Sequence, residues 1–197
     1  MNYEDILREK GYRFIAGIDE AGRGPLAGPV VAAAVILHEN ISIPDIDDSK
    51  RLSEKMRERL FDIIKREALS IGIGVVSEKV IDNINILQAT RKAMLTSVSK
   101  MNKRPDYLLI DGIHTIDSEI MQSAIIRGDS LCRSISAASI IAKVTRDRIL
   151  YKYSKRFPQY MFAKHKGYGT KEHLNLIRLH GPCDIHRKSF KGVKEYL

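Results

Sequence analysis

The sequence predicts an α/β fold in which the strands form one mixed sheet. Two strand-length segments come first, and further strands then alternate with helices, an order typical of this fold class. A length of 197 residues suits one compact domain with its own core, or one domain plus a small appendage. We find no repeat, low-complexity segment or linker, so we expect residues 1–197 to form one domain with a basic tail that wraps or extends it.

The first half of the chain supplies three strands and a helix. We predict strands over residues 13–19 and Val30–Leu37, joined by a glycine-rich loop. The second is a continuous apolar run, as expected for a central strand that is buried on both faces. Ser53 is a suitable N-cap for a helix that ends near Glu67. Residues 68–76 alternate in polarity and predict a third strand.

The second half adds two strands and three helical segments. Residues 80–101 are predicted to be helical in two pieces, and residues 107–110 form a short buried strand. A strand over about 122–127 precedes a long helix over about 130–156, which a proline stops. A last short helix covers 170–180, with a threonine as its cap. The apolar stripe of the long helix is predicted to consist of Leu131, Ile135, Ala138, Ala142 and Ile149.

The composition is that of a water-soluble globular protein, with 44% apolar and 29% charged residues. The polar, acidic amino terminus argues against a signal peptide, and no apolar run approaches the roughly 20 residues that a membrane-spanning helix needs. The two cysteines, Cys132 and Cys183, lie far apart and outside any CxxC spacing. A disulfide between them is one interpretation, but we expect two free thiols in a reducing cytoplasm.

The net charge of +9 is concentrated in the last quarter of the chain. Residues 143–197 contain 14 Lys and Arg against 4 Asp and Glu, whereas residues 1–142 are nearly balanced with 19 against 20. A solvated basic face is the ordinary interpretation of such an excess. Because the charge is localised, we favour a polyanionic partner.

The most informative segment joins the first two strands, where Asp19 and Glu20 precede a glycine-rich loop. Neighbouring side chains of a regular strand point to opposite faces, so both carboxylates can approach one ion only if the chain bends. A turn that uses Asp and Gly for backbone reasons is the alternative. The spacing Gly22-x-Gly24-x-x-x-Gly28 resembles a dinucleotide-binding loop with one residue too many, which is a weak signal, and no Walker A phosphate loop is present.

Two more acids follow predicted strands, Asp111 before Gly112 and Asp129 before the long helix. Taken singly, they are explained by a turn and by a helix N-cap. Taken together, they place carboxylates after three strands, and strand ends are where open α/β sheets assemble their sites. Carboxylate clusters suit Mg²⁺ or Mn²⁺, and a pair of such ions can hydrolyse a phosphodiester.

The basic second half places Tyr168 between glycines, where its ring could stack on a base or sugar or simply cover the core. A second, weaker signal is residues 48–50, Asp-Ser-Lys, which resemble a phosphate-contacting loop. The histidines of the last quarter and Cys183 match no reliable zinc spacing, so we expect solvated or core histidines.

These segments together resemble the ribonuclease HII family. The resemblance runs in the family's order from Gly17 to Phe190 and is most specific in two long motifs, residues 17–31 and 136–147. Shorter matching motifs are residues 48–50, 111–112, 128–129, 165–170 and 186–190.

The resemblance implies a ribonuclease H-like fold, a five-stranded mixed sheet with flanking helices, and a basic helical extension from about residue 158 that packs on it. It implies a divalent-metal-dependent endonuclease that cuts the RNA strand of RNA–DNA hybrids and nicks 5′ of single ribonucleotides in duplex DNA. The products carry 5′-phosphate and 3′-hydroxyl ends, and two ions, Mn²⁺ or Mg²⁺, take part. The implied metal ligands are Asp19, Glu20, Asp111 and Asp129.

The resemblance also implies the substrate contacts. The loop Gly22-Arg23-Gly24 would read the 2′-hydroxyl, and Tyr168 would stack on the next sugar. Phosphate or structural helpers would be Lys50, Ser139, Lys143 and Arg146. We expect a monomer that binds no membrane.

The sequence departs from the family at Gly192, where the family usually has a proline before Val193. It also carries no convincing clamp-binding peptide, so we do not expect a replication clamp as a partner. Two other functions remain open from the residues themselves. One is a nucleic-acid-binding module without catalysis, and the other is a nucleotide-dependent enzyme that uses Gly22 to Gly28.

Overall fold

The computed structural model describes residues 3–39, 41, 43, 46 and 52–197. Eleven helices and strands form its framework, and short 3₁₀ turns follow β5, α4 and the last loop. The elements are α1 (Tyr3–Glu9), β1 (Ile15–Ala21), β2 (Val30–Leu37), α2 (Glu54–Glu67), β3 (Ala68–Val76), α3 (Glu78–Ser99), β4 (Tyr107–Asp111), β5 (Met121–Ile125), α4 (Arg133–Arg156), α5 (Phe162–His165) and α6 (Lys171–His180).

The five strands form one mixed sheet in the order β3-β2-β1-β4-β5. β1, β2 and β3 pair antiparallel, whereas β4 runs parallel to β1 and β5 runs parallel to β4. The predicted fold class, a five-stranded mixed sheet with flanking helices and a helical carboxy-terminal region, is confirmed.

Both faces of the sheet are covered by helices. α3 packs on one face through alanines and isoleucines, and α2 and α4 cover the other. Two close approaches need glycine: a Cβ atom on Gly17 would lie 2.1 Å from the Ser134 carbonyl carbon of α4, and one on Gly74 would lie 1.9 Å from the Ala93 oxygen of α3. The backbone of α3 therefore lies directly against β3, and that of α4 lies directly against β1.

Most predicted elements are present with small shifts at their ends. β2 has the predicted bounds, and the Ser53 hydroxyl accepts a hydrogen bond from the Met56 N–H, as expected for a cap. α3 is interrupted at Asn85, where φ is 65° and ψ is 165°, in agreement with the prediction of two pieces. The prediction for Leu131 is wrong: it precedes α4 and its side chain is half exposed, because a 3₁₀ turn separates β5 from the helix.

The two longest helices, α3 and α4, cover the sheet. Neither they nor any other helix of the described residues combines the length and apolarity that a bilayer crossing requires.

Three histidines pack together beneath the carboxy-terminal part of the chain. The rings of His165 and His173 stack with centroids 4.2 Å apart, and the Nε2 atoms of His173 and His186 lie 3.0 Å apart. All three side chains are buried. No cluster of three metal-binding side chains occurs in the described part of the chain, and Cys132 and Cys183 are free thiols. The expectation of core histidines is therefore confirmed for these three.

We expect this histidine cluster to make stability depend on pH. Burial lowers the pKa of His173 and of His186 to about 4, from an ordinary value of 6.5. Between pH 6.5 and pH 4 these two histidines are protonated in the unfolded chain but neutral in the folded chain. The free energy of unfolding therefore falls as the pH drops from about 6.5 to about 4. The slope per histidine is at most about 1.4 kcal/mol per pH unit.

Urea unfolding at a series of pH values measures this dependence. His186→Gln should flatten it relative to the wild type, whereas His38→Gln, at an exposed histidine, should not. Equal slopes in the wild type and His186→Gln would show that the cluster does not control acid stability.

Candidate active site

The four predicted acids lie at or just beyond one edge of the sheet. β1 and β4 are parallel neighbours, and their register pairs the residues that precede Asp19 and Asp111, so these two acids follow at the same edge. β5 lies next to β4 and ends shortly before Asp129, which is in the 3₁₀ turn Gly128–Ser130. The acids thus lie at or just after the ends of three separate strands, β1, β4 and β5, as the sequence pattern predicts.

Asp19 is buried and points toward α4. Its Oδ1 accepts a hydrogen bond of 2.7 Å from the Glu20 N–H, and the Ser139 side chain of α4 lies close enough to lower the pKa of the carboxyl group. Burial raises the pKa of Asp19 well above 3.8, and the negative charges of Glu20 and Asp111 raise it further. The folded protein therefore disfavours the charged form of this carboxylate.

Glu20 extends from the opposite face of β1, as the alternation of a strand requires. The Arg23 guanidinium lies 3.4 Å from its Oε1. Burial raises the pKa of Glu20, the Arg23 charge lowers it, and the Asp111 charge raises it again. Asp19, Glu20 and Asp111 are thus close enough for their charges to interact, although they approach from different sides of the strand.

The turn after β5 is fixed to the end of β4. The Gly128 N–H donates a 2.7 Å hydrogen bond to Asp111 Oδ1, which places the next residue, Asp129, beside β4. Asp129 is buried, with 5% of its surface exposed. The alternative role of Asp129 as a helix N-cap is wrong, because the N-cap of α4 is Cys132. Gly112 has a φ of +104°, so the turn expected after Asp111 is present as well.

The donor atoms of this edge suit a hard divalent cation, because all four side chains offer carboxylate oxygens. Repulsion between the charged neighbours is the second feature that a cation would offset. In the described residues, no three such side chains are already arranged as metal ligands. Asp19, Glu20 and Asp111 are electrostatic neighbours at this edge of the sheet.

The glycine loop between β1 and β2 is held by two buried arginines. Arg187 donates to the carbonyl oxygens of Gly22, Arg23 and Gly28, and Arg146 donates to those of Ala27, Pro29 and Lys166. Gly22 has a φ of +100°, and a Cβ atom there would lie 2.1 Å from Arg146 Nε. Only glycine fits this position.

The loop forms one wall of a cavity of about 410 Å³, which we call the first cavity. Residues 22–24 face Ser139 and Lys143 of α4 across it, and Arg57 of α2 and Tyr168 complete the lining. The Tyr168 ring is 45% exposed, and a Cβ atom on Gly24 would lie 3.8 Å from it. Glu20 also lines this cavity, so one of the four acids, the loop and the tyrosine share one space.

A cavity of about 170 Å³, the second cavity, lies on the other side of Glu20 and Arg23. Asp111 and His114 line it from β4 and the loop that follows, and Arg91 lines it from α3. Because Glu20 and Arg23 belong to both cavities, the two spaces meet at the acids.

The helper residues are distributed unevenly. Ser139 and Lys143 line the first cavity, and Lys143 Nζ also forms a 2.8 Å ion pair with Asp147. Arg146, predicted to be a phosphate or structural helper, is 1% exposed and bonded to backbone carbonyls, which favours the structural alternative. Lys50 lies outside the described residues.

Sequence reasoning missed four basic residues near the site. Arg57 and Arg91 lie on helical segments without any motif, so only the folded arrangement shows them. His114 follows Asp111 in a loop, and the sequence carries no signal for it. Arg187 lies within the motif 186–190 and could have been singled out there as a second buried arginine.

Comparisons with known proteins extend over almost the whole chain. The family described as Ribonuclease HII matches residues 16–193. A ribonuclease HII from Syntrophus aciditrophicus is 58% identical over 190 residues, which cover 96% of this chain and 90% of that protein.

Solved structures give a consistent result. The ribonuclease H2 from Pyrococcus horikoshii has a TM-score of 0.77 at 25% identity and covers 92% of this chain and 96% of its own. Bst-RNase HIII in complex with Mn²⁺ has a TM-score of 0.70 at 17% identity, covering 93% and 68%, a likeness of fold alone.

We expect Asp19→Asn to stabilise the protein in the absence of divalent ions. The substitution removes a buried charge that Glu20 and Asp111 repel, while the amide oxygen can still accept the Glu20 N–H. The gain should be on the order of 1 kcal/mol, or about 2–4 °C in Tm.

Thermal unfolding with and without Mn²⁺ measures both effects. Mn²⁺ should raise the Tm of the wild type and should raise that of Asp19→Asn much less. Asp117→Asn, at an exposed carboxylate, is the control and should behave like the wild type. An equal Mn²⁺ response in Asp19→Asn and the wild type would contradict the assignment of Asp19 as a metal ligand.

Proposed function

The chain belongs to the ribonuclease HII family, a family of metal-dependent nucleases that act on RNA–DNA hybrids, and from this membership we propose how its own residues recognise and cut a substrate. We propose that it hydrolyses the RNA strand of hybrids and also nicks duplex DNA immediately 5′ of a single embedded ribonucleotide. The products would carry 5′-phosphate and 3′-hydroxyl ends. One observation carries the proposal: Glu20, the loop 22–24 and Tyr168 line one cavity.

The proposed metal ligands are Asp19, Glu20, Asp111 and Asp129. Their oxygen donors suit Mg²⁺ or Mn²⁺. Burial is the main cause of the raised pKa values of Asp19 and Glu20, and neighbouring negative charge, which a divalent cation would offset, raises them further. Two such cations, when bound, would supply an activated water and offset the charge on the leaving 3′-oxygen. The four acids would approach one another on binding, since repulsion keeps them apart without cations.

The loop residues Gly22, Arg23 and Gly24 are proposed to read the 2′-hydroxyl that distinguishes RNA from DNA. A hydroxyl is recognised well only by polar groups that do not move when it arrives. Arg187 supports this role, because its hydrogen bonds fix the carbonyls of Gly22 and Arg23. The lack of a Cβ at Gly24 leaves room for a sugar beside the Tyr168 ring.

The remaining residues of the first cavity are proposed to position the strand. Lys143 and Arg57 place positive charge opposite the loop, where a sugar–phosphate backbone would lie. Ser139 would help to orient Asp19, since its side chain interacts with this carboxyl group. The basic excess over residues 143–197 would add long-range attraction for the nucleic acid.

We further propose a role in removing ribonucleotides from DNA, as a monomer in the cytoplasm. The two free thiols fit a reducing compartment.

A DNA duplex that contains one ribonucleotide tests the proposal directly. With Mn²⁺ or Mg²⁺ we expect a single nick 5′ to the ribose, located by comparing the labelled products with size standards, and no cutting of the all-DNA duplex. Asp19→Asn should lower the rate by on the order of 10³-fold, about 4 kcal/mol, because a metal ligand is lost. Its affinity for the duplex should stay the same or rise, because a negative charge is removed.

The outcomes separate the alternatives. Comparable cutting of the all-DNA duplex would falsify the proposed specificity. Duplex binding without cutting by the wild type in either metal would favour a binding module without catalysis.

Tyr168→Ala should lower kcat/KM for the embedded ribonucleotide by about 10- to 100-fold, since stacking on an aromatic ring is worth roughly 1–3 kcal/mol. Tyr168→Phe keeps the ring and should keep most of the activity. Steady-state kinetics on the same duplex measure both variants. Tyr151→Ala, at an exposed tyrosine of α4 that lines neither cavity, is the matched control. Equal activity of Tyr168→Ala and Tyr151→Ala would exclude stacking by Tyr168.

A further inference from the structure

We propose that the second cavity is a phosphate-binding subsite for the bound nucleic acid, with Arg91 as its principal cation. This inference rests on the proposed function and adds a contact on the side of the acids that faces away from the first cavity. The ligand is a backbone phosphate of the nucleic acid next to the reacting one, and the residues that would hold it are Arg91, Arg23 and His114.

Arg91 has the properties of a cation that lacks its anion. Its side chain is half-buried on α3, and no carboxylate of the described residues forms an ion pair with it. Other basic residues around the acids are engaged: Arg23 pairs with Glu20, and Lys143 pairs with Asp147. A guanidinium partly withdrawn from water is stabilised by an oxyanion, and its fork of N–H donors matches the oxygens of a phosphate.

The charges of the residues that line the second cavity determine how strongly it would bind a phosphate. Glu20 and Asp111 contribute two negative charges, and Arg23 and Arg91 contribute two positive charges. The acids alone would repel a phosphate. Once divalent cations occupy the proposed metal site, the acids are neutralised and the cavity becomes net positive. Without divalent cations the two arginines balance the two acids, so the contact would be weaker but present, and removing Arg91 would leave the cavity net negative.

The position of the cavity identifies the strand that it contacts. Glu20 and Arg23 line both cavities, so a chain that runs from the first cavity to the second crosses the acids between them. The first cavity contains the groups proposed to read the ribose. A phosphate at Arg91 would therefore belong to the cleaved strand, on the other side of the scissile bond from the ribose-reading loop.

Arg91 has a natural control in Lys92, the next residue of α3. Lys92 carries the same charge but is exposed and does not line the second cavity. Replacing either residue by glutamine changes the net charge equally, so any difference between the variants reports the position of the charge and not its amount.

Duplex binding is measured by fluorescence anisotropy with the single-ribonucleotide duplex, without divalent ions so that no cutting occurs, over a series of salt concentrations. Arg91→Gln should weaken binding by roughly tenfold and make the salt dependence shallower by about 0.9 in the slope of log K against log salt, the loss of one phosphate contact. Lys92→Gln should leave the slope unchanged, and Arg91→Lys should restore most of it. Thermal unfolding verifies that each variant is folded.

The phosphate itself is located with duplexes that carry one uncharged methylphosphonate at successive positions of the cleaved strand. At one position the neutral linkage should weaken binding by the wild type but not by Arg91→Gln, because the contact is already absent in that variant. That position should lie next to the scissile linkage, away from the ribose-reading loop.

Each result decides the proposal. Equal affinities and slopes for Arg91→Gln and Lys92→Gln overturn it, as does a change confined to kcat, which would make Arg91 a modulator of the acids. The subsite is supported if the wild type cuts the duplex and the salt dependence of binding becomes shallower in Arg91→Gln but not in Lys92→Gln. A wild type that neither binds nor cuts contradicts the proposed function itself, and the two failures are thereby distinguished.

Discussion

Two positive charges buried under the glycine loop determine the shape of this protein around its site. Moving a guanidinium out of water costs several kcal/mol unless other dipoles replace the solvent. Arg146 and Arg187 obtain that replacement from six backbone carbonyls, five of them in residues 22–29 and one at Lys166. Burial lowers their pKa values to about 10 and about 9, so both remain charged at neutral pH. The loop, β2 and the carboxy-terminal part of the chain are thereby connected at one point.

The buried arginines and the loop that they hold support a site whose charged acids lower the stability of the folded state. Carboxylates gathered at a sheet edge repel one another, and desolvation raises the pKa of Asp19 and Glu20. Strain of this kind persists only where the surrounding structure holds it in place. Here the surrounding structure is the close packing of α4 on β1 at Gly17 and the bond from Gly128 to Asp111. The rigid surroundings are therefore what allows the acids to stay close together in the folded protein.

Much of the fold and the gathering of the acids at one sheet edge could be predicted, because both follow from local patterns. An apolar run predicts β2 and alternating polarity predicts β3, both with the observed bounds, and acids that follow strands indicate the site. Contacts between distant segments could not be predicted in this way. For Arg146 the sequence leaves a phosphate contact and a structural role open, because its carbonyl partners lie in distant segments, and Arg187 bonds a residue 165 positions earlier in the chain. Leu131 was misplaced because periodicity does not reveal a 3₁₀ turn before a helix.

The turn at Gly192 shows how the commonest residue of a family can be the wrong one for a particular chain. Its φ of +92° is closed to proline, whose ring fixes φ near −65°, and its N–H donates a 2.7 Å hydrogen bond to Glu195 Oε2 that proline could not make. The adjoining Val193 is fully buried, so the turn is tied to the core. Consensus engineering, which often increases thermostability by adopting majority residues, should therefore leave this position unchanged.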